Sequence, residues 1–379
     1  AKTENWQTPE ENSLFGRLVA RFRSSSGRMD RKLDVPIKNS NTRDVNEFGV
    51  DQFETVKVYY ATCRNKIEDA SGMPSYASER SSISYGYCDI SIPIRVHKIG
   101  SIERPSIFRL EFRENSSKHI TLIGMKYLSK GMFYKNMDKD SVTYNSESSL
   151  IFVHGYNVSH VGAARRAAQI KYDLDFMGPV TFFSWPSQSQ LSSYIVDEQT
   201  IEWAESRLLQ YLKEYLNRSR SQCVYLLAHS MGSRALTRAL IKLYQCNPSY
   251  RERVKEVILA APDIDRDVFV NDIAPRIVSN NIGITLYASS ADQALAASEK
   301  IHGATRVGGS EREVAIISGI ESIDATGVDT SFLGHSYFSG SKSVLSDMYS
   351  LINHNKRAGD RFGLRSVETS TGSYWKFLS

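Results

Sequence analysis

The chain has 379 residues, 41% of them hydrophobic and 23% charged, enough apolar material for one large domain with additions or two smaller ones. Its net charge of +5 is small for that length, and the basic residues are interspersed with acidic ones, which argues against nucleic acid as a partner. No run approaches the roughly 18 apolar residues of a membrane span, and no signal-peptide core is present.

The first residue is Ala1 rather than methionine, so a trimmed leader is compatible with the sequence. The compartment stays open: cytoplasm, or periplasm or exterior if a leader was removed. Cys63, Cys88, Cys223 and Cys246 show no CxxC spacing, which speaks against a zinc ribbon or a thioredoxin-type site. Cys223 and Cys246 read as small buried residues, and Cys63 and Cys88 as free thiols or, in an oxidising compartment, a pair.

Residues 1–50 form an arm. Within it "NSLFGRLVARFR" spaces Leu14, Phe15, Leu18, Val19 and Phe22 as an amphipathic helix with Arg17 and Arg21 between them. Docking on the chain's own domain is the favoured reading, with an anionic membrane surface or a protein partner as the alternative. "SSSGRMDRK" then reads as a linker. Alternation in "ETVKVYYATCR" predicts a strand, followed by strand candidates in "DISIPIRVH", "SIFRLEFRE" and "KHITLIGMKYL".

After Ser148 the pattern becomes strand, helix, strand, helix. "SLIFVHGYN", "PVTFFSWPS", "CVYLLAH", "VKEVILAAP", "IGITLYASS" and a last strand near "EVAIISGIESIDAT" are separated by helices in "VGAARRAAQIKYDLDF", "QTIEWAESRLLQYLKEYLNR", 232–244, "DRDVFVNDIAPRIV" and "ADQALAASEKI". "SKSVLSDMYSLINHN" closes the series as a helix. Continuously apolar strands alternating with helices predict a mostly parallel sheet covered on both faces, with the ligand site beyond the carboxyl ends of the strands. The domain is expected over 51–355, with 356–379 as a C-terminal tail.

Ala228-His229-Ser230-Met231-Gly232 joins an apolar strand to a helix and matches the G-x-S-x-G elbow, with alanine for the first glycine. Small residues are needed two positions either side of the serine because the strand and helix backbones nearly touch there. The plain alternative is a serine that merely caps the helix. A nucleophilic serine needs a base, and the base needs an anion to fix its tautomer. Of the later histidines, His302 lies at a helix end and His354 inside a helix. His335, after Gly334 in a loop, is the expected base. Asp292 after one strand and Asp263 after the strand before it compete as the acid, with Asp292 preferred.

The oxyanion donors are expected at the Tyr156 and Met231 amides, with His154 holding the turn before Tyr156 and Trp185 packing nearby. The segment "FSWPSQSQLSSYIVDEQ", 183–199, is long enough to wall or partly cover the site. Asp263, Asp265 and Asp267 alternate as in a calcium loop, but Ala274 stands where the closing glutamate belongs. Neither a metal nor a cofactor is expected.

In order along the chain, "FVHGYN", "FFSWPS", "LLAHSMGSRAL", "LAAPDID", "YASSADQALAAS", "IDATGVD" and "GHSYF" resemble the alpha/beta hydrolase superfamily. More narrowly they are similar to its bacterial esterase/lipase-like family catalogued as a domain of unknown function, and the likeness extends upstream to "VKVYYATCR" and "YGYCDISIPIRVHKIGSIERPS". The resemblance implies an eight-stranded hydrolase fold and a triad of Ser230, Asp292 and His335. It implies a serine hydrolase acting on a small-molecule or lipid ester, with thioester or amide cleavage using the same parts. The rival is a non-catalytic hydrolase-fold scaffold that binds partners through the arm. A scaffold has no need of serine, acid and base together, and this favours the enzyme.

Overall fold

The structure is a computed structural model that describes residues 52–68, 72–105, 114–188, 193–279, 282–309, 314–328 and 344–378. The expected amphipathic helix, the strand candidate at 106–113 and His335 lie outside the described residues. The strands are β1 (Phe53–Glu68), β2 (Pro74–Pro93), β3 (Thr121–Leu128), β4 (Ser148–Val153), β5 (Val180–Ser184), β6 (Cys223–His229), β7 (Val254–Ala260), β8 (Gly283–Ala288), β9 (Glu321–Asp324), β10 (Leu364–Thr369) and β11 (Gly372–Phe377). They form one sheet in the order β10-β11-β9-β8-β7-β6-β4-β5-β1-β2-β3. Among these only β2 and β10 run against the rest.

The longer helices are α1 (Lys130–Tyr144), α2 (His160–Asp173), α3 (Tyr194–Arg218), α4 (Gly232–Cys246), α5 (Gln293–His302) and α6 (Val344–His354). A broken helical stretch follows β7, made of Arg266–Val268, a π turn Phe269–Ile273 and Ala274–Ile277. The central strands read as unbroken apolar runs because both their faces are covered. In β4, Ile151 and Val153 join the core under α1, α3 and α4, while Leu150 and Phe152 join the one under α2 and α6. β6 divides the same way, Leu226 and Ala228 to the first side and Tyr225 and Leu227 to the second.

The described residues give the sheet eleven strands where eight were expected. Part of the excess comes from the stretch expected as a tail: β10 and β11 form a hairpin, and β11 pairs in parallel with β9. Buried Arg361 fastens this stretch to Asp347 on α6 at 2.8 Å and to Glu321 on β9 at 2.5 Å. All four cysteines are free. Cys88 lies opposite Val58 rather than Cys63 in the β1–β2 register, and Cys246, expected to be buried, is exposed.

Because β4 to β8 are parallel, the loops that follow them emerge along one edge of the sheet, where 154–158, 185–188, Ser230, 261–263 and 289–292 gather.

Candidate active site

Ser230 sits between the last residue of β6 and the start of α4 with φ +49°, the left-handed region, which costs a side-chain-bearing residue about 1–2 kcal/mol. The surroundings hold it there. Its amide donates to the Ala260 carbonyl at 3.0 Å, and its carbonyl accepts from Ser233 N–H at 3.0 Å and Asp263 N–H at 3.2 Å. The capping alternative does not describe this corner, since the helix cap is Met231 and no side chain caps α4.

The small residues around the serine have clear steric reasons. A Cβ on Gly232 would stand 2.4 Å from the His154 carbonyl oxygen and 2.9 Å from that of Val153. A Cβ on Gly155 would stand 3.0 Å from the Ser230 Cβ. The turn after β4 therefore lies directly against the serine, and Tyr156 is its next residue. Ala228, fully buried on β6, shows that alanine suffices at the first small position.

His154 is the peg of that turn. Its Nδ1 lies 2.7 Å from the Gly155 carbonyl, its ring stacks on Trp185 at 5.1 Å, and Trp185 Nε1 donates to the His154 carbonyl at 2.8 Å. Burial, aided by the nearby Arg64 charge, pushes the His154 pKa down to about 3, so at neutral pH it is an uncharged donor to Gly155. Trp185, expected only to pack, also ties the β4 and β5 loops together.

The two candidate carboxylates sit in different surroundings. Asp263 is 2% exposed, and both its oxygens are engaged: Oδ1 accepts from Ser298 Oγ at 2.7 Å, and Oδ2 accepts from the Tyr194 hydroxyl and lies 3.2 Å from Arg234 Nη2. Arg306 stands 3.5 Å away, within ion-pair reach but without a hydrogen bond. Asp292 begins α5, where its Oδ1 accepts from the Ala294 and Leu295 amides at 2.9 and 3.1 Å. Burial raises the Tyr156 phenol pKa, and the charges of Asp292, Asp263 and Asp197 raise it further.

His302 is occupied elsewhere, with Nε2 2.8 Å from Glu198 and Nδ1 2.8 Å from the Ser298 carbonyl. His354 ends α6 with its ring 5.4 Å from Tyr349. The aspartate run is dispersed, with Asp265 capping the helical turn that follows it. Among the described residues no three His, Cys, Asp or Glu side chains are grouped as a metal centre requires. No described helix is long and apolar enough to cross a membrane.

The sequence reading missed Tyr194, whose ring packs edge-on against Tyr156 at 5.3 Å. It also missed Arg64 and Asp197 beneath the loops. A charged residue at the end of an apolar strand was the one available signal for Arg64.

Residues 129–354, more than half of the chain, match the family described as alpha/beta hydrolase of unknown function (DUF900). The chain belongs to that family. No curated protein matches it. Among solved structures, lipase B of Aspergillus fumigatus is similar over 48% of this chain and 45% of its own, at 13% identity and a TM-score of 0.31. A protein of Xanthomonas campestris pv. campestris assigned to the alpha/beta hydrolase superfamily is similar over 45% of this chain and 87% of its own, at 13% identity and a TM-score of 0.26. This family member thus spans under half the length of the lipase, and likenesses this distant carry no argument about activity.

Proposed function

We propose that this alpha/beta hydrolase is a serine hydrolase that cleaves carboxylic esters through an acyl-enzyme. The observation that carries the reading is Ser230 itself, held at φ +49° on a strand-to-helix corner with the Gly155 turn against it. Strain kept at one serine by surrounding hydrogen bonds is characteristic of functional corners.

In this reading Ser230 Oγ attacks the ester carbonyl and passes its proton to His335. The amides of Tyr156 and Met231 meet the oxyanion, the latter at the uncapped start of α4 where the helix dipole is positive. His335 returns the proton to the departing alcohol, and water, deprotonated by His335, then releases the acid. Asp292 orients His335. The geometry favours it over Asp263, whose oxygens are taken up by Ser298, Tyr194 and Arg234.

The test is Ser230→Ala, assayed on a p-nitrophenyl ester, beside fluorophosphonate labelling of the unsubstituted protein. Labelling at Ser230 and a variant that folds but has no turnover are expected. A folded protein that resists the reagent and hydrolyses nothing would turn the reading to the scaffold.

A further inference from the structure

We propose that Arg64 and Asp197 are positioning residues that lock the Gly155–Tyr156 turn in the shape needed to receive the oxyanion. This rests on the reading of Ser230 as the nucleophile and of the Tyr156 amide as an oxyanion donor. Arg64, on β1, is 1% exposed, and Asp197, on the first turn of α3, is fully buried. Neither touches Ser230 in any contact described above, and neither forms a salt bridge with the other; what they share is the pair of loops after β4 and β5.

The two side chains divide the backbone polarity of those loops between them. The guanidinium takes carbonyls: Nη2 donates to Val158 O at 2.6 Å and Nη1 to Ser187 O at 3.1 Å. Its Nε donates to Ser184 Oγ at 2.8 Å, and Nη1 also reaches Ala77 O on β2 at 3.4 Å. The carboxylate takes N–H and O–H groups: Asp197 Oδ2 accepts from Asn157 N–H at 3.3 Å and Ser187 Oγ at 2.5 Å, and Oδ1 from Gln188 N–H at 2.8 Å. Ser187 Oγ in turn accepts from Val158 N–H at 3.2 Å, which closes a ring of hydrogen bonds between the loops.

Among the described residues no carboxylate bonds Arg64 directly, so the desolvation of its buried charge is repaid by the loop acceptors it finds and, at longer range, by the charge of Asp197. Burial brings Arg64 down to about 10, so it is charged at neutral pH. The strain is placed accordingly. Asn157, the residue after Tyr156, has φ +57°, and its amide and that of Val158 are held by Asp197 and Ser187. A turn whose amide must point at a developing charge loses catalysis with small rotations, since removing one such donor costs about 10²–10³ in turnover. The clamp fixes that rotation from behind.

The experiment uses Asp197→Asn, Arg64→Lys and, as the mild variant, Ser187→Ala, each assayed well below its melting temperature. Lysine keeps the charge of Arg64 but cannot span its acceptors, so it should not rescue. For Asp197→Asn and Arg64→Lys we expect kcat to fall by about 10²-fold with KM within about twofold, and fluorophosphonate labelling of Ser230 to slow by the same factor. For Ser187→Ala we expect a fall of about tenfold with the same KM pattern. A lower melting temperature with unchanged kcat in Ser187→Ala would overturn the proposal, as would a raised KM at constant kcat. Amide hydrogen exchange at 155–158, measured without substrate, separates this idea from the one it rests on. Faster exchange in Ser187→Ala supports the clamp even in a protein that proves inert to esters, and unchanged exchange refutes the clamp even in an active enzyme.

Discussion

Replacing Asp263 by asparagine tests which aspartate serves as the acid, and the structure sets the size of the effect. The carboxylate lies 3.2 Å from Arg234 and 3.5 Å from Arg306, both largely buried, and accepts hydrogen bonds from Ser298 and Tyr194. Arg234 also pairs with Glu198, so it keeps a counter-charge when Asp263 is neutralised. Arg306, 4% exposed, has Nε and Nη2 without hydrogen-bond partners and relies on the Asp263 charge. Breaking a buried pair costs about 3–5 kcal/mol, and one partially compensated arginine puts Asp263→Asn at the lower end, about 3 kcal/mol. For a domain of roughly 300 residues that is a fall of about 4–5 °C in melting temperature.

Asp292→Asn should behave oppositely. Asparagine caps a helix as well as aspartate, so stability should change by under about 1 kcal/mol, while turnover should drop by up to about four orders of magnitude through the wrong histidine tautomer. Both variants are to be followed by thermal unfolding and by ester turnover at a temperature where each is folded. An Asp263→Asn protein that melts like the unsubstituted one would refute the electrostatic reasoning. If it were instead silent while Asp292→Asn stayed active, the acid would be Asp263.

Two further outcomes follow from the geometry. His97 bonds Asp173 at 2.7 Å and Glu103 at 2.9 Å; burial opposes its charge, but these bonds outweigh burial and hold its pKa up at about 9. The folded state therefore keeps a proton that the unfolded chain releases near 6.5, so the stabilisation is complete below that pH and lost as pH rises through 9, a change of about 3 kcal/mol. Urea midpoints of the unsubstituted protein and His97→Gln should converge between pH 6 and 9.5, and a pH-independent gap would contradict this. Gly232→Ala forces a Cβ to within 2.4 Å of the His154 carbonyl, where backbone cannot swing aside. A loss of about 2–3 kcal/mol with impaired phosphonate labelling is expected in thermal melts, and unaltered melting would show that the β4 turn yields.

What the sequence disclosed depended on whether a residue's role was local. β4 and β6 were legible because two covered faces demand uninterrupted apolar residues, and the elbow because the Gly232 contact restricts the residue type. α1 was not, since "KGMFYKNMDKDSVTY" buries only Phe133, Tyr134, Met137 and Ser141 and carries little apolar rhythm. The C-terminal hairpin escaped for a related reason: most residues of "LRSVET" and "GSYWKF" are at least partly exposed, and Arg361 anchors the stretch from outside the strands. The partners of Asp263 come from α3, α4, α5 and the loop after it, and no spacing rule joins residues that far apart.

The position of β1 also bears on how the chain folds. It precedes β5 by more than a hundred residues yet lies between β5 and β2, and its partnership with β5 involves only Tyr59 to Thr62. The β1–β2 hairpin forms from local contacts, whereas its docking must wait for β4, α2 and β5 to be synthesised and assembled. Until then β1 offers an unpaired, apolar edge containing Tyr59, Tyr60 and Ala61, the sort of surface on which strands of separate molecules join. Refolding at high concentration should lose material at this step, so a chaperone that shields hairpins early would raise the yield more than one that acts on the finished sheet.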